Sequence, residues 1–183
     1  MKSLVMFLGI GTAALTIHAA DSKPFHGKPH SIPGKIEAEH WDKGPAGVAY
    51  HDIDETNKGE HYREVTQVDI EKRSDASNGH GLGWTKAGEW LIYTVKVEEA
   101  GSYSITMPVA SNKKGGHFHM EINGKDITGP IHVPDTGSWQ QLKVITHKGV
   151  KLKKGTHRIK VSMDKEGDSK SIGDIDYFEF KKE

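Results

Sequence analysis

The chain has 183 residues, no cysteine, and equal numbers of basic and acidic side chains, 25 of each. This length favours one folded domain over two. The balanced charge gives no global positive field that would hold nucleic acid or an anionic membrane surface. The absence of cysteine excludes disulfides, thiolate metal sites and a cysteine nucleophile.

The first 20 residues have the pattern of a signal peptide. Lys2 provides the positive start, the stretch 4–17 is apolar, and Ala19 and Ala20 are small residues at a cleavage position. The apolar run is too short to span a membrane, and no second one follows. We therefore expect cleavage after Ala20, a secreted or periplasmic product, and no membrane attachment.

Residues 21–34, DSKPFHGKPHSIPG, combine three prolines with glycine and polar side chains. This composition shows no periodicity and predicts a flexible leader or linker. From residue 35 the composition changes and then stays uniform. One folded unit over residues 35–181 is therefore expected, and it is long enough to bury a core.

The folded unit is predicted to be all-β. Apolar and polar residues alternate with period two in several segments, which is typical of strands with one face on a core. These segments are 91–97, 102–109, 117–122 and 158–163. Asn123-Gly124 joins two of the strand patterns, and both residue types tolerate the positive φ of a type I′ hairpin. Short strands with frequent Gly, Pro and Asn predict a β-sandwich of jelly-roll type.

The order of motifs along the chain resembles a family 6 carbohydrate-binding module. The motifs are IEAEHW (36–41), GVAYHDIDETNKGEHYR (47–63), VDIE (68–71), GWTKAGEWLIYTVKVEEAGSYSITMPVAS (83–111), FHMEINGK (118–125), TGSWQ (136–140), GTHRIKV (155–161) and GDIDYFEF (173–180). The resemblance implies a jelly-roll β-sandwich that binds polysaccharide, has no catalytic activity and carries a structural calcium ion.

A sugar site needs exposed aromatic rings, because a ring stacked on the C–H face of a sugar buries apolar area while polar groups fix its orientation. Trp139 and Tyr62 both lie in turn-rich segments. The resemblance implies that these two rings form opposing walls around one sugar, with Glu60 and His61 within reach of the same ligand. The alternative for a single loop aromatic is a lid packed on the edge of the core.

Asp174 stands where the resemblance would place an asparagine of the same cleft. An ionised carboxylate accepts hydrogen bonds from sugar hydroxyls but donates none, whereas an amide does both. An ionised Asp174 would also repel an anionic sugar. We therefore expect a neutral polysaccharide or oligosaccharide as the ligand.

Calcium requires several oxygen ligands that converge from separate segments. Glu37 and Glu39 are two residues apart on the first predicted strand and project from one face, and Asp176 lies in the last strand. The resemblance implies that these three side chains bind a structural calcium ion, with backbone carbonyls near Glu60. The alternative is a solvated acidic face of a strand.

Two other metal motifs are weaker. Asp52, Asp54 and Asn57 suggest an EF-hand loop, but Asn57 occupies the position of the required glycine. His117 and His119 share a strand face, as zinc-binding histidines do, yet the apolar residues between them explain both as the solvent side of a strand. We expect neither motif to bind metal.

Three further tryptophans are expected to pack on the core or its edge. Trp84 and Trp90 flank the turn at 86–88, and Trp41 follows the first predicted strand. Large aromatic side chains are more often buried than not. Tyr50 cannot be assigned to a site from its sequence position.

Two other functions remain as alternatives. A small secreted jelly-roll glycoside hydrolase needs two carboxylates that flank a cleft, and no strand has the alternating acidic motif typical of such enzymes. A sandwich domain that binds another protein is the second alternative. We expect a monomeric binding module without enzymatic activity, which works alone or beside separate polysaccharide-degrading enzymes.

Overall fold

The computed structural model describes residues 21–63 and 66–183, and it contains fourteen strands in this part of the chain. In chain order they are β1 (His30–Ile32), β2 (Gly34–Glu37), β3 (Tyr50–His51), β4 (Ile70–Lys72), β5 (His80–Leu82), β6 (Trp90–Val97), β7 (Gly101–Ala110), β8 (His117–Ile122), β9 (Lys125–Asp126), β10 (Ile131–His132), β11 (Lys143–Leu152), β12 (Gly155–Lys165), β13 (Asp174–Ile175) and β14 (Tyr177–Lys182). None of the described residues forms a helix that could cross a membrane. The predicted signal peptide lies outside the described residues.

The strands form two seven-stranded sheets. The first sheet has the order β1-β6-β12-β8-β10, with β3 on β6 and β9 on β8. The second has the order β2-β14-β7-β13-β5-β4, with β11 on β7. Nearly all neighbouring strands are antiparallel, and β1 runs parallel to β6. The predicted all-β sandwich is confirmed.

The core lies between the two sheets. Tyr93 of β6 contacts Phe178 of β14 edge to face, with the ring centroids 5.7 Å apart, and Phe118 of β8 approaches the same Phe178 ring at 6.4 Å. All three side chains are 1% exposed or less. Edge-to-face packing of this kind adds to the burial of apolar area. The two sheets are therefore joined by aromatic contacts at their centre.

The alternating patterns are confirmed as strands with one buried face. In β8, Phe118 and Met120 are buried, while His117, His119 and Glu121 are partly exposed. The turn between β8 and β9 also follows the prediction. Asn123 and Gly124 have φ angles of 53° and 71°, the positive values that a type I′ hairpin requires.

The first and last strands of the second sheet are neighbours. β14 pairs antiparallel with β2, and Tyr177 lies opposite Glu37. The backbone N–H of Ala38 also donates to the carbonyl of Asp176 at 2.9 Å. This pairing brings the acidic residues of both chain ends to one edge of the sandwich.

Residues 21–34 pack on the sandwich, in contrast to the predicted flexible leader. Lys23 and Lys43 exchange two backbone hydrogen bonds of 2.8 and 2.7 Å, and the Phe25 ring stacks on His40 at 4.3 Å. Ile32 of β1 is fully buried. Because β1 has three residues and a single apolar anchor, it is too short for periodicity to reveal. The described fold therefore begins before residue 35.

Candidate functional site

One cleft of about 410 Å³ opens at the edge of the second sheet. Two tryptophans, Trp84 and Trp139, contribute aromatic rings to its lining. The other main lining residues are polar: Glu71, Lys86, Gln140, Lys170 and Asp174. A volume of this size, with apolar surfaces and a few polar groups, is typical of a site for a small ligand.

Trp84 is held out of the core by its neighbours. The N–H of Gly83 donates to the carbonyl of Asp69 at 3.1 Å, and the buried Thr85 hydroxyl donates to the carbonyl of Gly173 at 2.7 Å. Trp84 itself has φ of 49° and is 42% exposed. A left-handed backbone costs a side chain with a Cβ about 1 kcal/mol or more, and such strain is concentrated at functional sites. The expected packing of Trp84 on the core is wrong.

Trp139 lies on a loop with two anchors. Thr136 is buried, and its N–H donates to the carbonyl of Ser111 at 2.9 Å. Gly137 follows with φ of 89°, and its N–H donates to Asp135 Oδ1 at 2.8 Å. These bonds fix the turn that precedes the ring, as the Gly-containing segment led us to expect.

The guanidinium of Arg73 connects the cleft to the sheet. Its Nη1 donates to Glu71 and to Asp174, both at 2.7 Å, and it binds Asp75 through two bonds of 3.0 Å. Its Nη2 also donates to the carbonyl of Trp139 at 2.7 Å. Burial opposes the charge, but the surrounding carboxylates raise the pKa of Arg73 above its ordinary value. Arg73 thus positions two cleft carboxylates and one aromatic wall.

Asp174 lines the cleft, and its carboxyl is a weaker acid than an ordinary aspartate. It is 3% exposed and lies in β13. Burial, helped by the nearby Glu71 carboxylate, raises the pKa of Asp174 to about 8, although Arg73 acts in the opposite direction. The raised pKa favours the protonated carboxyl, which donates as well as accepts, as the amide expected at this position would.

Tyr62, Glu60 and His61 do not line this cleft. The Tyr62 ring lies 4.3 Å from the ring of His80, and its hydroxyl is 2.9 Å from His40 Nε2. Glu60 and His61 are exposed, and the Glu60 carbonyl accepts from Asn57 Nδ2 at 3.2 Å. Trp84, and not Tyr62, shares the lining of this cleft with Trp139.

Glu37, Glu39 and Asp176 form an acidic cluster beside Tyr62. The Ser77 hydroxyl donates to Glu37 Oε2 at 2.6 Å and reaches Asp176 Oδ1 at 3.2 Å, and the Ser77 N–H approaches both Asp176 oxygens at 3.1 Å. Glu39 Oε1 accepts from the Asn78 amide. The structure therefore brings together all three side chains predicted to bind calcium.

The acidic cluster suits a cation. Glu39 is fully buried, and its Oε2 has no hydrogen-bond partner. Burial, with smaller contributions from Glu37 and Asp176, raises the pKa of Glu39 to about 7, and burial and Glu37 raise the pKa of Asp176. Burial and, to a smaller extent, mutual repulsion thus disfavour the ionised carboxylates, and a bound cation would stabilise them. The three carboxylates do not all lie within 4.8 Å of one another, because Ser77 and Asn78 stand between them.

Comparison with known proteins identifies the family. The family model for the carbohydrate binding module (family 6) matches residues 58–182. The alpha subunit of clotting factor G from Tachypleus tridentatus is 31% identical over 104 residues, which are 56% of this chain and 15% of that protein. The chain thus spans about 15% of the length of that curated relative.

Two solved modules have a similar structure. The module CBM6cm-2 from Cellvibrio mixtus lichenase 5A, in complex with cellotriose, is 25% identical with a TM-score of 0.59, over 83% of this chain and 98% of that one. The C-terminal family 6 module of LamC, a marine laminarinase from Zobellia galactanivorans, is 25% identical with a TM-score of 0.59, over 81% and 98%. Because the family model matches more than half of the chain, this protein belongs to the carbohydrate binding modules of family 6.

Proposed function

We propose that this chain is an exported module that binds a neutral polysaccharide in the cleft between Trp84 and Trp139. The observation that carries the proposal is the exposed Trp84, held at positive φ so that its ring lines the same cleft as Trp139. A soluble domain gains nothing in stability from a strained, exposed tryptophan. A ligand that stacks on the ring would account for both features.

The chemistry of the cleft fits a sugar. Two indole rings offer apolar faces to the C–H faces of a pyranose, and each stacked ring contributes about 1 to 3 kcal/mol. In the same cleft, Asp174 donates to a hydroxyl when it is protonated, which its raised pKa favours, and Glu71 and Gln140 offer acceptors. The cleft therefore offers aromatic rings to the apolar C–H faces of a sugar and polar groups to its hydroxyls.

The proposed ligand class is a neutral β-glucan. Relatives of this chain include a module solved with cellotriose and a module from a laminarinase. Lys86 and Lys170 also line the cleft, but Lys86 Nζ is engaged by the carbonyl of Lys170 at 2.5 Å. The Glu71 carboxylate lines the same cleft and would repel an anionic sugar, so the proposed ligand is neutral.

We also propose that Glu37, Glu39 and Asp176 hold a structural calcium ion. Their oxygens are the hard ligands that calcium prefers, and the unpartnered Glu39 Oε2 is a buried acceptor that an ion would satisfy. Bound calcium neutralises the charge of these carboxylates where β2 pairs with β14. The ion would then stabilise the paired ends of the folded unit.

The proposed role is binding without catalysis, by a monomer that works alone or beside separate enzymes. Family 6 modules are non-catalytic. In the cleft, Glu71 and Asp174 both accept from the same nitrogen of Arg73, so the two carboxyl groups lie side by side and not on opposite sides of a sugar, as hydrolysis would require. This arrangement separates the chain from a glycoside hydrolase.

A binding panel tests the proposed function. The purified chain is titrated with cello- and laminari-oligosaccharides, xylan, agarose and a uronate polymer, and released reducing ends are measured in parallel. We expect binding to at least one neutral glycan with a dissociation constant in the micromolar range or weaker, because little area is buried, and no released ends. Binding restricted to the uronate polymer, or steady release of reducing ends, would contradict the proposal.

Removal and addition of calcium test the proposed metal site. After treatment with a chelator, the chain should melt at a lower temperature, and added calcium at 100 times the dissociation constant should restore about 2.7 kcal/mol. In the Glu39→Gln variant, added calcium should raise the melting temperature by less than it does in the unaltered chain. An identical response in the variant and the unaltered chain would rule out calcium at Glu39.

A further inference from the structure

A second acidic cluster brings together two segments that are distant in the chain. It consists of Asp52 and Asp54, in the loop after β3, and Glu89, directly before β6. One carboxylate oxygen from each lies within 4.8 Å of the others. Among the described residues, no other set of three or more acidic or histidine side chains is this close. The weak EF-hand motif of the sequence therefore contains two residues that meet a third from a distant segment.

Two buried oxygens at this cluster have no partner. Glu89 is 8% exposed; its Oε2 accepts from the N–H of Lys86 at 2.8 Å, while its Oε1 is buried without a hydrogen bond. Asp69 lines the same small cavity and is 3% exposed; its Oδ1 accepts from the N–H of Lys58 at 2.5 Å, and its Oδ2 is unpartnered. Buried polar atoms are nearly always satisfied, so two such oxygens in one cavity indicate a missing positive partner.

The charged groups that face the cluster do not supply this partner. The ammonium of Lys58 pairs with Asp54, but that lysine side chain is 41% exposed and binds from the solvent side. Asp52 Oδ1 accepts the N–H of Asp54 at 2.8 Å. Lys58 therefore binds from outside and leaves the buried oxygens of Glu89 and Asp69 without a positive partner.

We propose that Asp52, Asp54 and Glu89 form a second calcium site, beside the cavity that Asp69 also lines. The ligands are all oxygen atoms from carboxylates, which favours a hard cation over zinc. Calcium accepts irregular and bidentate carboxylate geometry, whereas magnesium demands a near-ideal octahedron and retains its waters. Three ligands that converge from a loop and a strand start therefore suit calcium better.

The site has a structural consequence for the cleft. Glu89 binds the N–H of Lys86, which closes the turn that begins directly after Trp84. A cation held by Glu89 would tie this turn to the loop at Asp52 and Asp54. The second calcium ion would thereby stiffen the segment that presents one aromatic wall. This consequence rests on the proposed function, whereas the ion site itself does not.

Calcium stoichiometry tests the proposal. The chain is stripped with a chelator, and bound calcium per chain is measured by equilibrium dialysis for the unaltered chain and for Glu89→Gln, Asp54→Asn and Glu55→Gln. We expect Glu89→Gln and Asp54→Asn each to lose one ion per chain, or to bind it at least tenfold more weakly. Glu55→Gln is the matched control, because Glu55 is exposed in the same loop and the charge change is the same.

A melting experiment separates loss of the ion from loss of the fold. In chelator, Glu89→Gln should melt no lower than the unaltered chain, because the substitution removes a repelling charge; in calcium, it should melt lower. Unchanged stoichiometry in both Glu89→Gln and Asp54→Asn would overturn the proposal. Glu39→Gln, measured in parallel, reports on the other calcium site, so the two assignments fail independently.

Discussion

Replacing Arg73 with methionine would remove the charge that organises the cleft. The Arg73 side chain is 2% exposed and binds three carboxylates and the Trp139 carbonyl. Removing one partner of a buried ion pair costs about 3 to 5 kcal/mol, because the other partner stays buried without compensation. Glu71 and Asp75 keep partial contact with water, so we expect a loss near 3 kcal/mol of unfolding free energy.

Urea denaturation at pH 7 measures this loss. Lys96→Met is the control, because Lys96 pairs with Glu98 at 3.2 Å on the surface with its side chain 56% exposed, and such pairs contribute under about 1 kcal/mol. A loss below about 1 kcal/mol, equal to that of Lys96→Met, would refute the central role of Arg73.

Three further predictions concern single residues. The pKa of Asp174 is about 8 in the folded chain against an ordinary 3.8, so the unfolded state binds fewer protons and the free energy of unfolding should fall as pH rises from 4 to 8. The Asp174→Asn variant should flatten this part of the plot of unfolding free energy against pH, and an unchanged plot would contradict the raised pKa. Asp42→Ala should cost about 2 kcal/mol in urea denaturation, because Asp42 is fully buried and accepts from the N–H and hydroxyl of Thr94 at 2.8 and 2.6 Å; a neutral effect would argue against this network. Ile32→Ala should cost about 3 kcal/mol in the same assay, and no loss would mean that β1 is not part of the core.

The strands were predictable because each has one buried face. In β7, β8 and β12 the alternation of apolar and polar residues is visible in the sequence, and the burial pattern follows it. The pairing of β2 with β14 brings Glu37, Glu39 and Asp176 together as the resemblance implied. Period-two patterning is a local signal, and it survives in the fold because one face of each strand meets the core.

The cleft was only half predictable, because its geometry depends on backbone dihedrals and distant contacts. Trp139 follows a glycine in a turn-rich segment, so its loop position was visible in the sequence. Trp84 lies beside a strand and looks like a core residue, and only its positive φ and its anchored neighbours reveal that the ring points out of the core. Arg73 has no local signal, since the Asp174 that it binds is 101 residues away.

The short segments also escaped prediction. Residues 21–34 look like a linker because they contain three prolines and mostly polar side chains. One buried isoleucine and a three-residue strand give no periodic pattern in such a segment. The Asp52 and Asp54 motif was discounted as an EF-hand, and its third partner, Glu89, lies 35 residues beyond Asp54 in the chain. Contacts of long sequence separation carry no periodicity, so they become visible only in the fold.

The most direct test of the account is the affinity of the chain for a neutral β-glucan oligosaccharide after removal of single aromatic rings. Trp84→Ala and Trp139→Ala should each weaken binding by at least about tenfold, because each removes a stacking wall. Tyr62→Ala is the matched control, since Tyr62 is also an exposed aromatic, 37% against 42% for Trp84, and it should change the affinity by less than about twofold. Binding that is lost with Tyr62→Ala and retained with Trp84→Ala would contradict the account.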